Sequence, residues 1–435
     1  MVLAPSPEKL PQDAPDGVIG PTCGDDLEHG LSRVSNRSQN SEGFMPIQFS
    51  IYSSAEAVGK EVWNRLAAAA SPMMEWEYFH ALEASGIVSA QRGYRPCHLV
   101  ACRDGQAIGL APLYERDRAL VEFGDGGLVE YLSELTGIPY NCGVVGMIPY
   151  TPVPAYEFLH DATVAPLWAD RSLLDYLDYH CANRGLLTSR LYFVTSARPQ
   201  LHALLRERGY LHLQAEYSIW FNRHYADFED YLQALKASRR TKIRREWRAI
   251  RNQGITIRMI PGQEAPSRYF ELAFRLYEKT WHKHMGGRIQ PFLNERFFQL
   301  LAEEFRHRSA FAVAEQQDAR SIAMALFYAK EGTLYGRYWG CWEEIPFLHF
   351  GTCYYRPIAY AIEQGMRMMD PGFGGEHKLL RGYETVPIHH YVKFHGARQR
   401  RVAYSILKQL QRQHAVFRDD PEGPTRQEQS CPEKT

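Results

Sequence analysis

Apolar positions along the chain recur at two spacings, and the spacings alternate in an order that occurs twice. Residues 47–52 read as a strand. Two helical stretches follow, the second over 74–85 and closed by Gly86. The period then drops to two over 98–102 and 107–114, which flank Arg103-Asp104-Gly105-Gln106, an Asp-Gly hairpin turn. Helices at 172–184 and 201–208, with a strand at 191–195 between them, complete the first unit, and a strand over 213–221 leads into the second. There, helices at 266–282 and 294–307 precede strands at 309–315, 321–329 and 333–339. A helix over 350–366 follows, spaced by Tyr354, Ile358 and Ile362, and then a short strand over 367–370.

Two units of like order predict an α/β chain of two mixed sheets, each flanked by helices, with a cleft where they meet. At 435 residues the chain exceeds what one core usually serves. The expected division is 45–212 and 213–416, with disordered extensions at 1–44 and 417–435, where polar, Pro and Gly residues replace hydrophobes. Hydrophobic residues make up 45% and charged residues 23%, and no apolar run reaches the roughly 18 residues that span a bilayer, so a soluble, cytoplasmic body is expected. The first 44 residues lack the basic leader and apolar segment of a signal peptide. The eight cysteines form no C-x-x-C pair and read as reduced, mostly buried thiols.

Formal net charge is zero, so attraction to an anion has to be local. Such a locality exists at 236–251, where Lys236, Arg239, Arg240, Lys242, Arg244, Arg245, Arg248 and Arg251 surround a single acid, Glu246. Ile243, Trp247 and Ile250 give that segment one apolar stripe, and the spacing predicts a helix with cations around the rest. Phosphates of a nucleotide, a tRNA or a coenzyme would all satisfy it. A second locality follows the strand at 367–370. Pro371-Gly372-Phe373-Gly374-Gly375 lets the backbone turn sharply, and Glu376-His377-Lys378 comes straight after, at the carboxyl end of a strand, where open α/β folds hold ligands. Signatures for phosphate-loop hydrolysis, dinucleotide binding, zinc proteolysis and serine hydrolysis are all missing. The pairs His282/His284 and His389/His390 lack a third ligand at a sensible spacing, so no metal is expected.

The pattern LYGRYWG, LHF-x-x-CYY and DPG-x-x-GEHK-x-x-RG, with SRR-x-x-IRRE, ALEASG and PYTPVP, resembles the FemAB-like N-acyltransferases over about residues 46–394. That resemblance implies two acyltransferase domains of the GNAT fold in tandem, in agreement with the repeated element order. Fem transferases proper are more distantly similar, and they move an amino acid from aminoacyl-tRNA to an amine. The resemblance therefore implies amide formation on a small molecule, a peptide or a cell-wall precursor, with aminoacyl-tRNA as co-substrate and no tightly bound cofactor. Acyl-CoA is the alternative donor, although no R/Q-x-x-G-x-G/A loop precedes the helix at 350. A non-catalytic module binding anions or RNA is the third reading. Gly351 stands where the family usually carries a carboxylate, a departure that changes or narrows the acceptor if that carboxylate contacts substrate.

Acyl transfer to an amine needs a proton acceptor and donors for a developing oxyanion. Glu376 or His377 is expected as the acceptor, with His349 as runner-up. Lys378 and Arg337 are expected to stabilise negative charge or bind a donor phosphate, and Cys353 as a nucleophile lacks an activating partner. Tyr335, Tyr338 and Trp339 would shape the acyl pocket, and Tyr150, Thr151 and Arg381 would contact substrate. Arg239, Arg240, Lys242, Arg244, Arg245 and Arg248 would meet tRNA or phosphate.

Overall fold

The structure, a computed structural model, describes residues 47–116, 123–286 and 289–418, with the side chains of Glu376 and of residues 410–418 left aside. The expectations for 1–44 and for 419–435, with Cys23 and Cys431, lie outside the described residues.

The chain forms mixed α/β layers in which the sheets of the two halves join edge to edge. The large sheet runs, in spatial order, through Thr256–Pro261, Ser309–Glu315, Ser321–Lys330, Thr333–Cys341, Met368–Asp370, Leu211–Phe221, Glu384–Phe394, Thr188–Val194, Gly143–Gly146, Tyr114–Arg116 and Arg95–Pro96. Neighbours are antiparallel except for two pairs. Thr333–Cys341 lies parallel to Met368–Asp370, and Gly143–Gly146 lies parallel to Thr188–Val194. A parallel pair needs a crossover, and helices Arg356–Glu363 and Pro166–Arg184 supply one in each half. The crossover thus recurs in both halves, although the first one rests on Gly143–Gly146, a strand that the sequence pattern does not reveal. A smaller antiparallel sheet holds Gln48–Tyr52, His98–Arg103, Gln106–Ala111 and Leu159–His160. Ser309–Glu315 and Ser321–Lys330 are buried almost throughout, which explains why their sequences are continuous apolar runs.

Two of the differences from the sequence expectation shape the surroundings of the site. Glu384–Phe394 is a strand that the pattern does not reveal, because Pro387 and the adjacent His389 and His390 interrupt its apolar alternation. Pro387 is tolerated where the strand has a ladder partner on one side only. It pairs with Glu216, and the ladder to Thr188–Val194 begins at His389. The helix expected over 350–366 starts at Leu348, passes through a π-helical turn over Gly351–Tyr355, and continues as Arg356–Glu363. Pro357 has no N–H to offer Cys353, so the regular ladder cannot run through this turn.

The halves also share a core, in which Tyr78 of the first packs with Phe297, Phe305 and Tyr328 of the second. At its edge the Glu75 carboxylate accepts from Arg308 at 2.7 and 3.0 Å and pairs with Lys330 at 2.8 Å. Burial alone would raise the pKa of Glu75, but hydrogen bonds from His307, Arg308 and Lys330 hold it at about 2. A carboxylate depressed in the folded state stabilises above its unfolded pKa, near 4.5, and that stabilisation is lost as pH falls through 4.5 toward 2. Glu75→Gln is expected to lower the denaturant midpoint at pH 7 and to flatten its acid dependence between pH 4.5 and 2. Urea titrations of both proteins at several pH values measure this.

Candidate active site

The site is built around a defect in one strand. Along Thr333–Cys341, Leu326 pairs with Tyr338 and Phe327 pairs with Gly336, so Arg337 is an extra residue bulged out of the ladder. The bulge breaks the in-out alternation and places Arg337, Tyr338 and Trp339 on the walls of two clefts at once. The larger cleft, about 590 Å³, lies between this strand, the helix Arg268–Met285 and the first half of the chain. Tyr277, Trp281 and Phe292 form its aromatic wall, and Tyr150 reaches it from the first half. The smaller, about 280 Å³, is lined by His349, Cys353, Tyr354 and Pro371.

Helix and strand can approach this closely because Gly340 has no side chain. A Cβ there would lie 2.2 Å from the carbonyl oxygen of Leu276. From the first half, the buried Thr151 donates to the Pro149 carbonyl at 3.0 Å and is hydrogen-bonded to the Tyr78 hydroxyl at 3.0 Å, which in turn meets the Tyr338 hydroxyl at 3.3 Å. Thr151 thus reaches the cleft through Tyr78 and Tyr338, while Tyr150 lines it directly.

Behind the clefts lies a buried charge cluster. Asp370 Oδ1 accepts from the Tyr217 hydroxyl at 2.6 Å and from the Gly372 N–H at 2.8 Å. Burial raises the Asp370 pKa, opposed by those two hydrogen bonds and by the nearby Arg337 and Lys378. Lys378 is 1% exposed and donates to the Gly372 carbonyl. Burial pulls its ammonium down to about 8, with Asp370 opposing the shift. His377 Nε2 is hydrogen-bonded to the Tyr354 hydroxyl at 2.9 Å, and burial together with Arg381 and Lys378 holds its pKa at about 4. Burial, His377, Arg381 and Lys378 lower His349 to about 3. Both imidazoles are therefore neutral at ordinary pH, beside two cations.

This arrangement can hold an acyl group against aromatic walls, receive a proton on a neutral imidazole, and offer positive charge to an oxyanion. The FemAB-like family profile, described as peptidoglycan biosynthesis/recognition, matches residues 54–424. The chain belongs to the FemAB-like family. The structure of FemX superposes with a TM-score of 0.50 at 12% identity, covering 77% of this chain and 96% of that one, which supports the shared fold. The structure of L-PGS from Bacillus licheniformis gives a TM-score of 0.42 at 14% identity over 75% and 94% of the two chains. A tandem GNAT protein from the clavulanic acid biosynthesis pathway gives 0.40 at 10% identity over 80% and 99%. No curated protein sequence matches the chain.

The FemAB-like chain thus brings Tyr150, Arg337, Tyr338, Trp339 and His349 to the clefts, with His377 one hydrogen bond behind Tyr354. Lys378 lies beyond Gly372, and the side chain of Glu376 falls outside the described residues. Tyr335 packs beside the core and lines neither cleft. Arg381 does not line them either, because its donors are already engaged. Nε gives to the Tyr355 hydroxyl at 3.0 Å, Nη1 to the His377 carbonyl at 2.9 Å and Nη2 to Glu246 at 3.0 Å, and its guanidinium lies 3.6 Å from the Phe350 ring centroid. Cys353 lines the smaller cleft, but burial pushes its thiol up to about 12, which disfavours the thiolate a nucleophile needs.

The cationic segment is the helix Ala237–Asn252. Its one acid, Glu246, is fully buried and accepts from Tyr355 and Arg381, so the helix is pinned to the glycine-turn segment by its only carboxylate. Arg244 pairs with Glu229, and Arg240 caps the preceding helix through the Gln233 and Leu235 carbonyls. Arg239 is half-buried, while Lys242, Arg245, Arg248 and Arg251 are exposed. Gly351 proves to face this helix, not a cleft. A Cβ there would lie 2.6 Å from Ile250 Cδ1 and 2.7 Å from Ile257 Cδ1. The departure from the family pattern thus lies where a side chain would meet this packing, and Gly351 lines neither cleft.

Sequence reasoning missed Tyr277, Trp281, Phe292, Tyr354 and Asp370. A signal existed for three: Tyr277 and Trp281, like Thr280 and His284, stand four apart on one helix face, and Asp370 ends a strand before a glycine turn. Removing the carboxylate with Glu246→Ala strands the Arg381 guanidinium in the interior, so a loss of about 3–5 kcal/mol is expected. Chemical denaturation measures that loss. Restoring the wild-type midpoint with Glu246→Asp would show that the charge, not the side-chain volume, carries the effect.

Proposed function

We propose that the protein transfers an aminoacyl group from aminoacyl-tRNA to an amine, forming an amide. The observation that carries the chemistry is the pairing of neutral imidazoles with buried cations where the two clefts share the Arg337 bulge. In this reading the amine nitrogen attacks the ester carbonyl carbon, a C–N bond forms, and the C–O bond to the ribose breaks. The amine gives up one proton, which passes to the Tyr354 hydroxyl as that hydroxyl hands its own to His377 Nε2, and His349 at the cleft wall is the other possible acceptor. The departing ribose oxygen takes a proton to leave as a hydroxyl. Arg337 and Lys378 supply the field that favours the oxyanion. The acceptor is an amine on a small molecule, a peptide or a cell-wall precursor.

The choice of donor is supported by the helix Ala237–Asn252. Its single acid is turned inward, where Lys242 lies 4.0 Å from it, while Arg245, Arg248 and Arg251 present positive charge outward with no ion pair among the described residues, as a phosphate backbone requires. In binding and turnover assays, labelled aminoacyl-tRNA is expected to be retained and consumed while acetyl-CoA is not; consumption of acetyl-CoA alone would overturn the tRNA reading. Arg245→Ala with Arg248→Ala is expected to weaken tRNA binding and to reduce its salt slope by roughly one unit per side chain.

The pH profile follows from the charges. His377 accepts a proton only when neutral, so kcat/KM rises through about pH 4, and Lys378 acts only as a cation, so kcat/KM falls through about pH 8. Lys378→Arg is expected to remove the alkaline limb, since guanidinium stays charged there. A profile that climbs through pH 8 instead would make neutral Lys378 the base.

A further inference from the structure

Arg337 is 6% exposed, and its Nε, Nη1 and Nη2 have no hydrogen-bond partner among the described residues. A buried guanidinium without partners costs several kcal/mol, and native chains keep such a group only where something else meets it. Asp370 is the carboxylate whose field reaches it; Oδ1 is taken by Tyr217 and Gly372, Oδ2 has no partner among the described residues, and no hydrogen bond joins Asp370 to Arg337. The field of the same carboxylate also acts on Lys378, so two cations share one acid. Among the described residues no carboxylate lines either cleft that Arg337 borders.

The walls on the other side are aromatic. Trp281 and Phe292 pack with ring centroids 4.6 Å apart, Tyr150 lies 5.0 Å from Phe292, and Tyr277 lies 5.5 Å from Tyr338. A cleft lined by a buried guanidinium without hydrogen-bond partners among the described residues, and by aromatic rings, suits an amphipathic anion.

We propose that the larger cleft binds a substrate carrying a carboxylate next to an aromatic or large apolar group. Arg337 meets the carboxylate, and Tyr277, Trp281 and Phe292 pack the apolar part. Resting on the amide-forming reading above, this substrate is the amine acceptor, a carboxylate-bearing aromatic or bulky aliphatic amine such as an amino acid or a short peptide end. The phosphate-binding helix Ala237–Asn252 is then left to the donor, and the two clefts on either side of the bulge divide acceptor from reacting centre.

The test is binding to the full chain, read by tryptophan fluorescence and calorimetry with three probes: 3-phenylpropionate, 3-phenylpropanamide and acetate. Charge-assisted hydrogen bonds predict that 3-phenylpropionate binds at least about tenfold tighter than the amide. It should also bind tighter than acetate, because acetate lacks the ring. Arg337→Gln is expected to bring acid and amide within about twofold of each other, and Trp281→Ala to weaken both phenyl probes while keeping their ratio. Equal binding of acid and amide to the wild type, or of acetate and 3-phenylpropionate, overturns the proposal even if Arg337→Gln does not fold. Because a structural guanidinium would be missed and an unpaired one is not, the melting temperature of Arg337→Met is expected to equal or exceed that of the wild type. None of these readings needs an acyl donor. Acid-over-amide preference without consumption of aminoacyl-tRNA or acetyl-CoA would sink the transferase reading alone, while turnover with no such preference would sink the acceptor assignment alone.

Discussion

The pairing of Leu211–Phe221 with Glu384–Phe394 is the contact on which the remaining architecture depends. The ladder runs from Ile219 opposite Glu384 to Leu211 opposite Val392 and closes two sheets into one. On one side of it lies Met368–Asp370, the strand that ends at the buried carboxylate, and on the other Thr188–Val194, the centre of the first half. Tyr217 in this ladder donates to Asp370, so the strand that links the halves also holds the acid of the charge cluster in place. Separating the halves would expose the unpaired edges of both sheets and the shared aromatic core around Tyr78, which gives the interface a hydrophobic penalty for opening that surface ion pairs alone could not supply.

Within that frame the charges are disposed unevenly. Acids are spent on structure: Glu246 pins the cationic helix, and Glu75 ties the halves together. Cations are left over at the places where a substrate would come. Arg337, over the Tyr338 ring between the clefts, has no hydrogen-bond partner among the described residues, and the outer face of Ala237–Asn252 stays basic because its acid is inside. A chain with zero formal net charge thereby carries two positive localities, one buried and one exposed. Burial then decides protonation: the same low-dielectric surroundings that lower Lys378 keep His349 and His377 neutral, so neutral imidazoles and a cationic lysine coexist over one pH range.

The elements with strong periodicity were legible before any coordinates. Ser309–Glu315 has the same bounds in the pattern and in the structure, and the basic helix differs by one residue at each end, because apolar spacing reports directly on which face is buried. The strand Glu384–Phe394 was not, since Pro387 and paired histidines hide a ladder that only its neighbours make possible. For the site, residue types in LYGRYWG and GEHK marked the region, yet they could not show that Arg381 turns to Glu246 while Arg337 finds nothing, or that Gly351 packs on Ile250 and Ile257.

The amino-acid sequence by itself determined the repeated α/β order, the family and the cationic helix, because these depend on local periodicity and composition, which act over a few residues. Only the tertiary structure decided which charges are paired, which rings face each other across the cleft, and where the bulge at Arg337 points. Those outcomes depend on contacts between segments more than a hundred residues apart, such as Tyr78 with Tyr338 and Glu246 with Arg381, and on the burial that such contacts impose. A side chain's chemistry is written in its type, but its charge state and partners are set by what the fold packs against it.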